Sequence, residues 1–164
     1  MNVRRATPAD AEAVATAHVR GWQEGYGHVF PDEALAELSI PQRLETWRER
    51  IETGSTVFVA ERDGDVVGFS TVGPSRDAEG EGELYGIYVR PDAWGTGAGR
   101  ALIARAEEEL RERGYEQATL WVLEDNPRAR RFYEAAGWAV DGIEKDDEFL
   151  GTRVREVRYR VSLR

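Results

Sequence analysis

A strand-like run, Glu83-Leu84-Tyr85-Gly86-Ile87-Tyr88-Val89, leads through Arg90-Pro91 into the turn Trp94-Gly95-Thr96-Gly97-Ala98-Gly99-Arg100, and an amphipathic stretch follows at once. No other feature constrains the chain as much. Glycines admit left-handed backbone angles and let the main chain approach another group closely. A helix start leaves N–H groups unpaired and carries a partial positive charge. Strand, glycine turn and helix in this order therefore make a cradle for an anion, phosphate above all. Arg100 adds a fixed positive charge. The two common nucleotide loops do not fit. A P-loop ends in Gly-Lys-Ser/Thr, which is missing, and the dinucleotide fingerprint needs glycine where Arg100 stands. That fingerprint also follows the first strand of a βαβ unit, whereas this turn follows the fourth strand-like run. On spacing alone, a glycine turn without a ligand stays open as an alternative.

The rest of the chain reads as strands and helices around one sheet. A first strand is expected over Asn2 to Ala6, then a helix from Thr7-Pro8-Ala9-Asp10 to about Tyr26, with Thr7 as cap and Asp10 reaching back. A second helix is expected over Pro41 to Thr53, with Leu44, Trp47 and Ile51 on one face. Thr56 to Glu61 and Val66 to Val72 form a hairpin about Asp63-Gly64. Pro74 to Gly82 reads as the loop before the Glu83–Val89 strand, where Gly86 signals a bulge or a close approach. A helix from about Gly97 to Arg113 carries Leu102, Ile103, Ala106 and Leu110, and Gly114 stops it. Gln117 to Leu123 is a fifth strand. Asn126 caps a helix with Pro127 at its first position and Gly137 at its end. Trp138 to Ile143 and Val154 to Val161 close the chain as a hairpin. The order predicts an α/β (or α+β) fold in a single domain, 1–164.

Composition bounds function. The 164 residues include no cysteine, so disulfides, thiol nucleophiles and thiolate metal sites are ruled out. His18 and His28 are the only histidines and sit in no ligand cluster, so no metal is expected. The start lacks the apolar run of a signal peptide, and no stretch approaches the ~20 apolar residues of a membrane span. The chain is read as soluble and cytoplasmic, with no membrane partner. The 31 acidic and 22 basic residues give a net charge of −9, which argues against nucleic acid. The charge aids solubility and also favours a cationic partner at long range.

Two segments together carry a resemblance. Val89-Arg90-Pro91 with Trp94 to Leu102, and Asn126-Pro127-Arg128-Ala129-Arg130-Arg131-Phe132-Tyr133-Glu134-Ala135-Ala136-Gly137-Trp138, resemble the pyrophosphate-binding and the asparagine-to-aromatic motifs of the GNAT N-acetyltransferase superfamily. The resemblance implies a mixed, mostly antiparallel twisted sheet of about seven strands flanked by about four helices, with strands 4 and 5 splayed apart. It implies acetyl-CoA in that splay. Ile87, Tyr88 and Val89 would lie along the pantetheine, with backbone groups of Ile87 and Val89 pairing with its amides. Trp94, Gly95, Thr96, Gly97, Ala98, Gly99 and Arg100 would surround the phosphates, and Asn126, Ala129 and Tyr133 would border the arm. Trp94 departs from the family, which has glutamine or arginine there. A phosphate contact is lost, or the indole packs on the cofactor's edge.

The implied reaction moves an acetyl group to a primary amine of a small molecule or protein by direct attack in a ternary complex. A lysine-like amine has a pKa of about 10.4, so a base is needed, and the departing thiolate benefits from an acid. Tyr133 is the expected acid and Glu83 the expected base, with a strand N–H near Val89 facing the developing oxyanion. Trp22, Tyr26, Glu83 and Tyr85 are the expected acceptor-site residues. The acidic balance points to a cationic acceptor such as a polyamine or aminoglycoside. A homodimer is compatible with this reading. The alternative is a non-catalytic acyl-CoA-binding sensor or regulatory module, against which Tyr133 and Glu83 speak.

Overall fold

The computed structural model describes all residues, 1–164. In chain order the elements are β1 (Asn2–Arg5), α1 (Ala11–Gly25), α2 (Asp32–Ala36), α3 (Ile40–Glu52), β2 (Thr56–Arg62), β3 (Asp65–Pro74), β4 (Gly82–Val89), α4 (Ala98–Glu112), β5 (Gln117–Leu123), α5 (Pro127–Ala135), β6 (Ala139–Phe149) and β7 (Thr152–Ser162). The strands form one seven-stranded sheet in the order β1-β2-β3-β4-β5-β7-β6. Every neighbouring pair is antiparallel except β4–β5.

Helices cover both faces, which is why β2 reads as an unbroken apolar run rather than an alternation. On one face Leu102, Ile103, Ala106 and Leu110 of α4 pack with Leu84, Leu120 and Tyr159 in the main core. On the other, Val14 of α1 and Trp47 of α3 pack on Val57, Val59 and Phe69. Each buried Leu, Ile or Phe contributes about 1.5–3 kcal/mol. Local chemistry sets the ends. The Thr7 N–H donates to Asp10 Oδ2 at 2.8 Å, as the reach-back predicts, and Arg4 donates two further bonds to that carboxylate. Asp63 and Gly64 both take positive φ, 54° and 80°, as a two-residue turn matching strand twist requires.

A bulge positions the site. The β3–β4 register steps from Val72↔Leu84 to Thr71↔Gly86, leaving Tyr85 as the extra residue beside the suspected Gly86. A Cβ on Gly73 would lie 2.5 Å from the Tyr85 hydroxyl, so only glycine lets the bulged ring lie there. A bulge bends its strand. The parallel pairing of β4 with β5 covers only Gly82↔Ala118 and Glu83↔Thr119, and beyond it the strands part.

The structure differs from the sequence reading in two places. There are five α-helices rather than about four, because Asp32–Ala36 forms one turn and a half after Pro31. β6 and β7 run well past Ile143 and start before Val154. The charged stretch 144–148 is an exposed edge strand laced to β7 by ion pairs such as Lys145–Glu156 and Arg155–Asp146, and charge is how exposed edges avoid further pairing. Within the sheet β7 lies between β5 and β6.

Candidate active site

The parting of β4 and β5 opens a cleft of about 740 Å³, walled by α1, α3, β4, β5, the start of α5 and the β6–β7 hairpin. Its β4 wall is an unpaired strand edge. The Arg90 N–H donates to the Val67 carbonyl at 2.7 Å, and the register pairs Val89 with Gly68. Antiparallel pairs alternate between bonded and non-bonded, so the main-chain groups of Tyr88 point to β3 and those of Ile87 and Val89 point into the gap. One of these already has a partner. The Trp94 indole N–H donates to the Val89 carbonyl at 2.8 Å, and the Arg128 guanidinium lies 3.6 Å from the Trp94 ring centroid. Trp94 thus ties the end of β4 to the start of α5 and occupies one lone pair of the Val89 carbonyl. The Val89 N–H and both Ile87 groups stay available.

Beyond Trp94 the turn has the form its glycines predict. Gly95 and Gly97 have φ of 77° and 92°, and Gly97 caps α4. The first helical bond runs from Ala101 N–H to the Gly97 carbonyl at 3.0 Å, leaving the N–H groups of Ala98, Gly99 and Arg100 without helical partners. The Thr96 hydroxyl donates to the Ala93 carbonyl at 2.6 Å, and the Arg100 side chain is exposed. A Cβ on Gly99 would meet the Phe132 ring at 3.1 Å, so this glycine sets how closely α4 and α5 approach. The open edge of β4 and the free N–H groups at the start of α4 are joined in the chain by residues 90–97, and both offer backbone donors.

Asn126 works in both directions. Its Oδ1 accepts from the Ala129 N–H at 3.1 Å, capping α5, and its Nδ2 donates to the Tyr26 hydroxyl at 3.0 Å. The end of α1 is thereby fastened across the cleft to α5. Trp22 donates its indole N–H to the Tyr88 hydroxyl at 3.1 Å and stacks on Phe30 at 5.4 Å. Trp22 and Tyr26 line the cleft, but both are held in place by these contacts. Tyr133 also lines it and is 7% exposed. Burial raises the pKa of its hydroxyl, and no hydrogen bond opposes that shift. Tyr85 lines the far end, its hydroxyl donating to the Pro74 carbonyl at 2.5 Å.

The carboxylates fall differently from the sequence expectation. Glu83 is fully buried and is not part of the cleft wall. Its oxygens accept from Arg76 three times, from the backbone N–H at 2.9 Å, Nε at 3.1 Å and Nη2 at 2.5 Å. Asp147, Glu148 and Glu156 line the cleft instead, and the buried one is Glu156 on β7, 8% exposed and paired in register with Leu123 of β5. Burial first, and the neighbouring Asp147 after it, raise its pKa against the pull of Lys145 at 3.8 Å. The alternation of β7 could have marked Glu156 as lying opposite the apolar Val157-Tyr159-Val161 face, but only strand order shows that this side opens on the cleft. Phe149 and Leu150, from the hairpin turn, are further walls that the sequence did not signal.

The comparisons agree with this geometry. The profile of the acetyltransferase (GNAT) family matches residues 13–138. An uncharacterised N-acetyltransferase, YuaI of Bacillus subtilis (strain 168), is 36% identical over 161 residues, covering 96% of this chain and 90% of the relative. The crystal structure of a ribosomal-protein-alanine N-acetyltransferase from Brucella melitensis superposes with a TM-score of 0.73 at 27% identity, covering 99% of both chains. YncA from Salmonella typhimurium, crystallised with acetyl-CoA, shares the fold with a TM-score of 0.74 at 22% identity, covering 99% of this chain and 94% of that one. This chain belongs to the acetyltransferase (GNAT) family and is an N-acetyltransferase.

Proposed function

We propose that the chain moves an acetyl group from acetyl-CoA to a primary amine by direct attack within one ternary complex. The observation that carries this is Tyr133, a largely buried residue that lines the cleft with β4 and whose hydroxyl is engaged by no other side chain. Bound acetyl-CoA supplies the acyl group as an activated thioester. The cradle from Gly95 to Arg100 holds its phosphates, and Ile87 with the Val89 N–H holds its arm. YncA, with its acetyl-CoA, supports that choice of donor.

Each side chain has a role that its surroundings support. Tyr133 keeps its proton because burial disfavours the phenolate. A thiol has a pKa near 8.5, well below that of such a tyrosine, so Tyr133 donates a hydrogen bond to the departing sulfur rather than its whole proton. The amine must lose a proton before attack. Glu156 takes that role in place of Glu83, since its carboxylate faces the cleft and burial strengthens its hold on a proton. Glu83 positions Arg76 instead.

The experiment is calorimetry with CoA followed by a thiol-release assay over an amine panel. Micromolar binding and turnover of at least one amine are expected, and absence of both sinks the reading. Tyr133→Phe should lower kcat by about 10²-fold. Glu156→Gln should lower kcat and remove the acid limb of the kcat/KM profile, a limb set above the ordinary glutamate range because burial raises this pKa. If Glu83→Gln removes that limb and Glu156→Gln keeps it, the base is Glu83.

A further inference from the structure

Overall charge and local charge disagree. The chain carries −9, which at long range favours a cation. Beside the acceptor end of the cleft, however, lies a second cavity of about 560 Å³ with Arg50, Arg76 and Arg113 on its walls and no carboxylate. Hydroxyls of Thr53, Ser55, Thr56 and Thr71 complete its polar lining. It shares Trp47, Arg50, Thr71, Arg76 and Tyr85 with the cleft, so the two are one continuous space.

The guanidiniums are held ready for an anion. Arg76 is fixed through Nε and Nη2 by Glu83 and lies over the Tyr85 ring at 5.0 Å. Arg113 is fixed through Nε by Glu109 at 2.9 Å and through Nη2 by the Thr56 hydroxyl at 2.5 Å. In both, Nη1 is left over. Arg50 has no acidic partner and lies over Trp47 at 5.0 Å. Arg43, on the same face of α3, also lines the cleft unpaired. Arg90 and Arg158, by contrast, are each closed by aspartates. His18 reports the resulting field, since Arg43 and Arg50 add to burial in holding its pKa down. Guanidiniums with fixed orientation and spare donors are suited to carboxylate or phosphate.

We propose that this cavity is a subsite for an anionic group, carboxylate or phosphate, that the acyl acceptor carries along with its amine, an inference that rests on the acetyl-transfer reading above. The acceptor is then zwitterionic or anionic rather than polycationic.

Matched pairs test this: ω-amino acids and ω-aminoalkyl phosphates of graded spacer length, each against its neutral amide or alcohol, followed by thiol release. At one spacer length the anionic member should show kcat/KM about tenfold or more above its neutral counterpart, as expected for one charged hydrogen bond. Arg50→Gln should reduce that preference about tenfold through KM, and Arg48→Gln, an exposed position bound to Glu45, should not. Neutral members matching the anionic ones at every spacer, or a preference that survives Arg50→Gln, overturn the proposal. The carboxylate and phosphate arms decide which anion is meant. Inorganic phosphate at constant ionic strength should also raise the Tm of the wild type more than that of Arg50→Gln. Equal shifts overturn the subsite even when no amine reacts. A silent amine panel with unequal shifts counts against acetyl transfer and leaves the anion site standing.

Discussion

His18 shows how much one residue can be governed by its neighbours. Its Nδ1 accepts from the Trp47 indole N–H at 3.2 Å, so the neutral ring carries its proton on Nε2. Tyr88 and Phe69 flank it at 4.7 Å and 6.0 Å. Burial first, then Arg43 and Arg50, lower its pKa to about 4. An unfolded histidine titrates near 6.5. Between those values the unfolded chain binds a proton that the folded chain refuses, so stability falls as pH falls. The full contribution is present above about 6.5 and is lost by about pH 4, a total of about 3 kcal/mol. Urea midpoints at neutral and acid pH should therefore show the wild type losing more than His18→Gln, which keeps an acceptor for Trp47 but cannot titrate. Parallel losses in the two proteins would refute the assignment.

Among the elements, α5 depends most visibly on one side chain. Asn126 satisfies the Ala129 N–H and also holds the hydroxyl of Tyr26, a buried residue. Asn126→Ala should cost about 1–2 kcal/mol for the cap, with a further loss from the stranded hydroxyl. Asn126→Asp keeps the cap oxygen and can accept from Tyr26, so it should recover most of the loss in a thermal melt. If Ala and Asp melt alike, the cap is not what anchors the helix. Elements of this kind were legible because their signals are local. Asn126-Pro127, Gly97 and Gly114 around α4, and Asp63-Gly64 each state a backbone requirement within a few residues. What was not legible is non-local. Periodicity cannot reveal that β7 inserts between β5 and β6, and so could not aim Glu156 at the cleft. Arg76 and Glu83 face each other only because the loop folds back over β4, which turns an apparent base into a buried ion pair. Five residues after Pro31 are too few to show a period, so α2 was missed.

At the scale of the molecule, the sheet is two halves, β1 to β4 and β5-β7-β6, joined in register only at Gly82↔Ala118 and Glu83↔Thr119. Side chains reinforce the seam from outside the sheet: Asn126 on Tyr26, and the His28 ring, whose Nε2 lies 2.7 Å from the Asp125 carbonyl. A ligand that pairs with the free edge of β4 fills the gap as a missing strand would, and so should stabilise the whole fold. At a hundred times its Kd, CoA would add about 2.7 kcal/mol, worth roughly 5–10 °C in Tm for a chain of this size. Amide exchange gives the sharper reading. The Tyr88 and Arg90 N–H groups face β3 and should exchange slowly with or without ligand. Those of Ile87 and Val89 face the gap and should exchange fast until CoA binds, then slow sharply. Slowing of all four together would mean general tightening and not strand-like pairing. No change at Ile87 and Val89, with CoA bound by calorimetry, would place the arm away from β4.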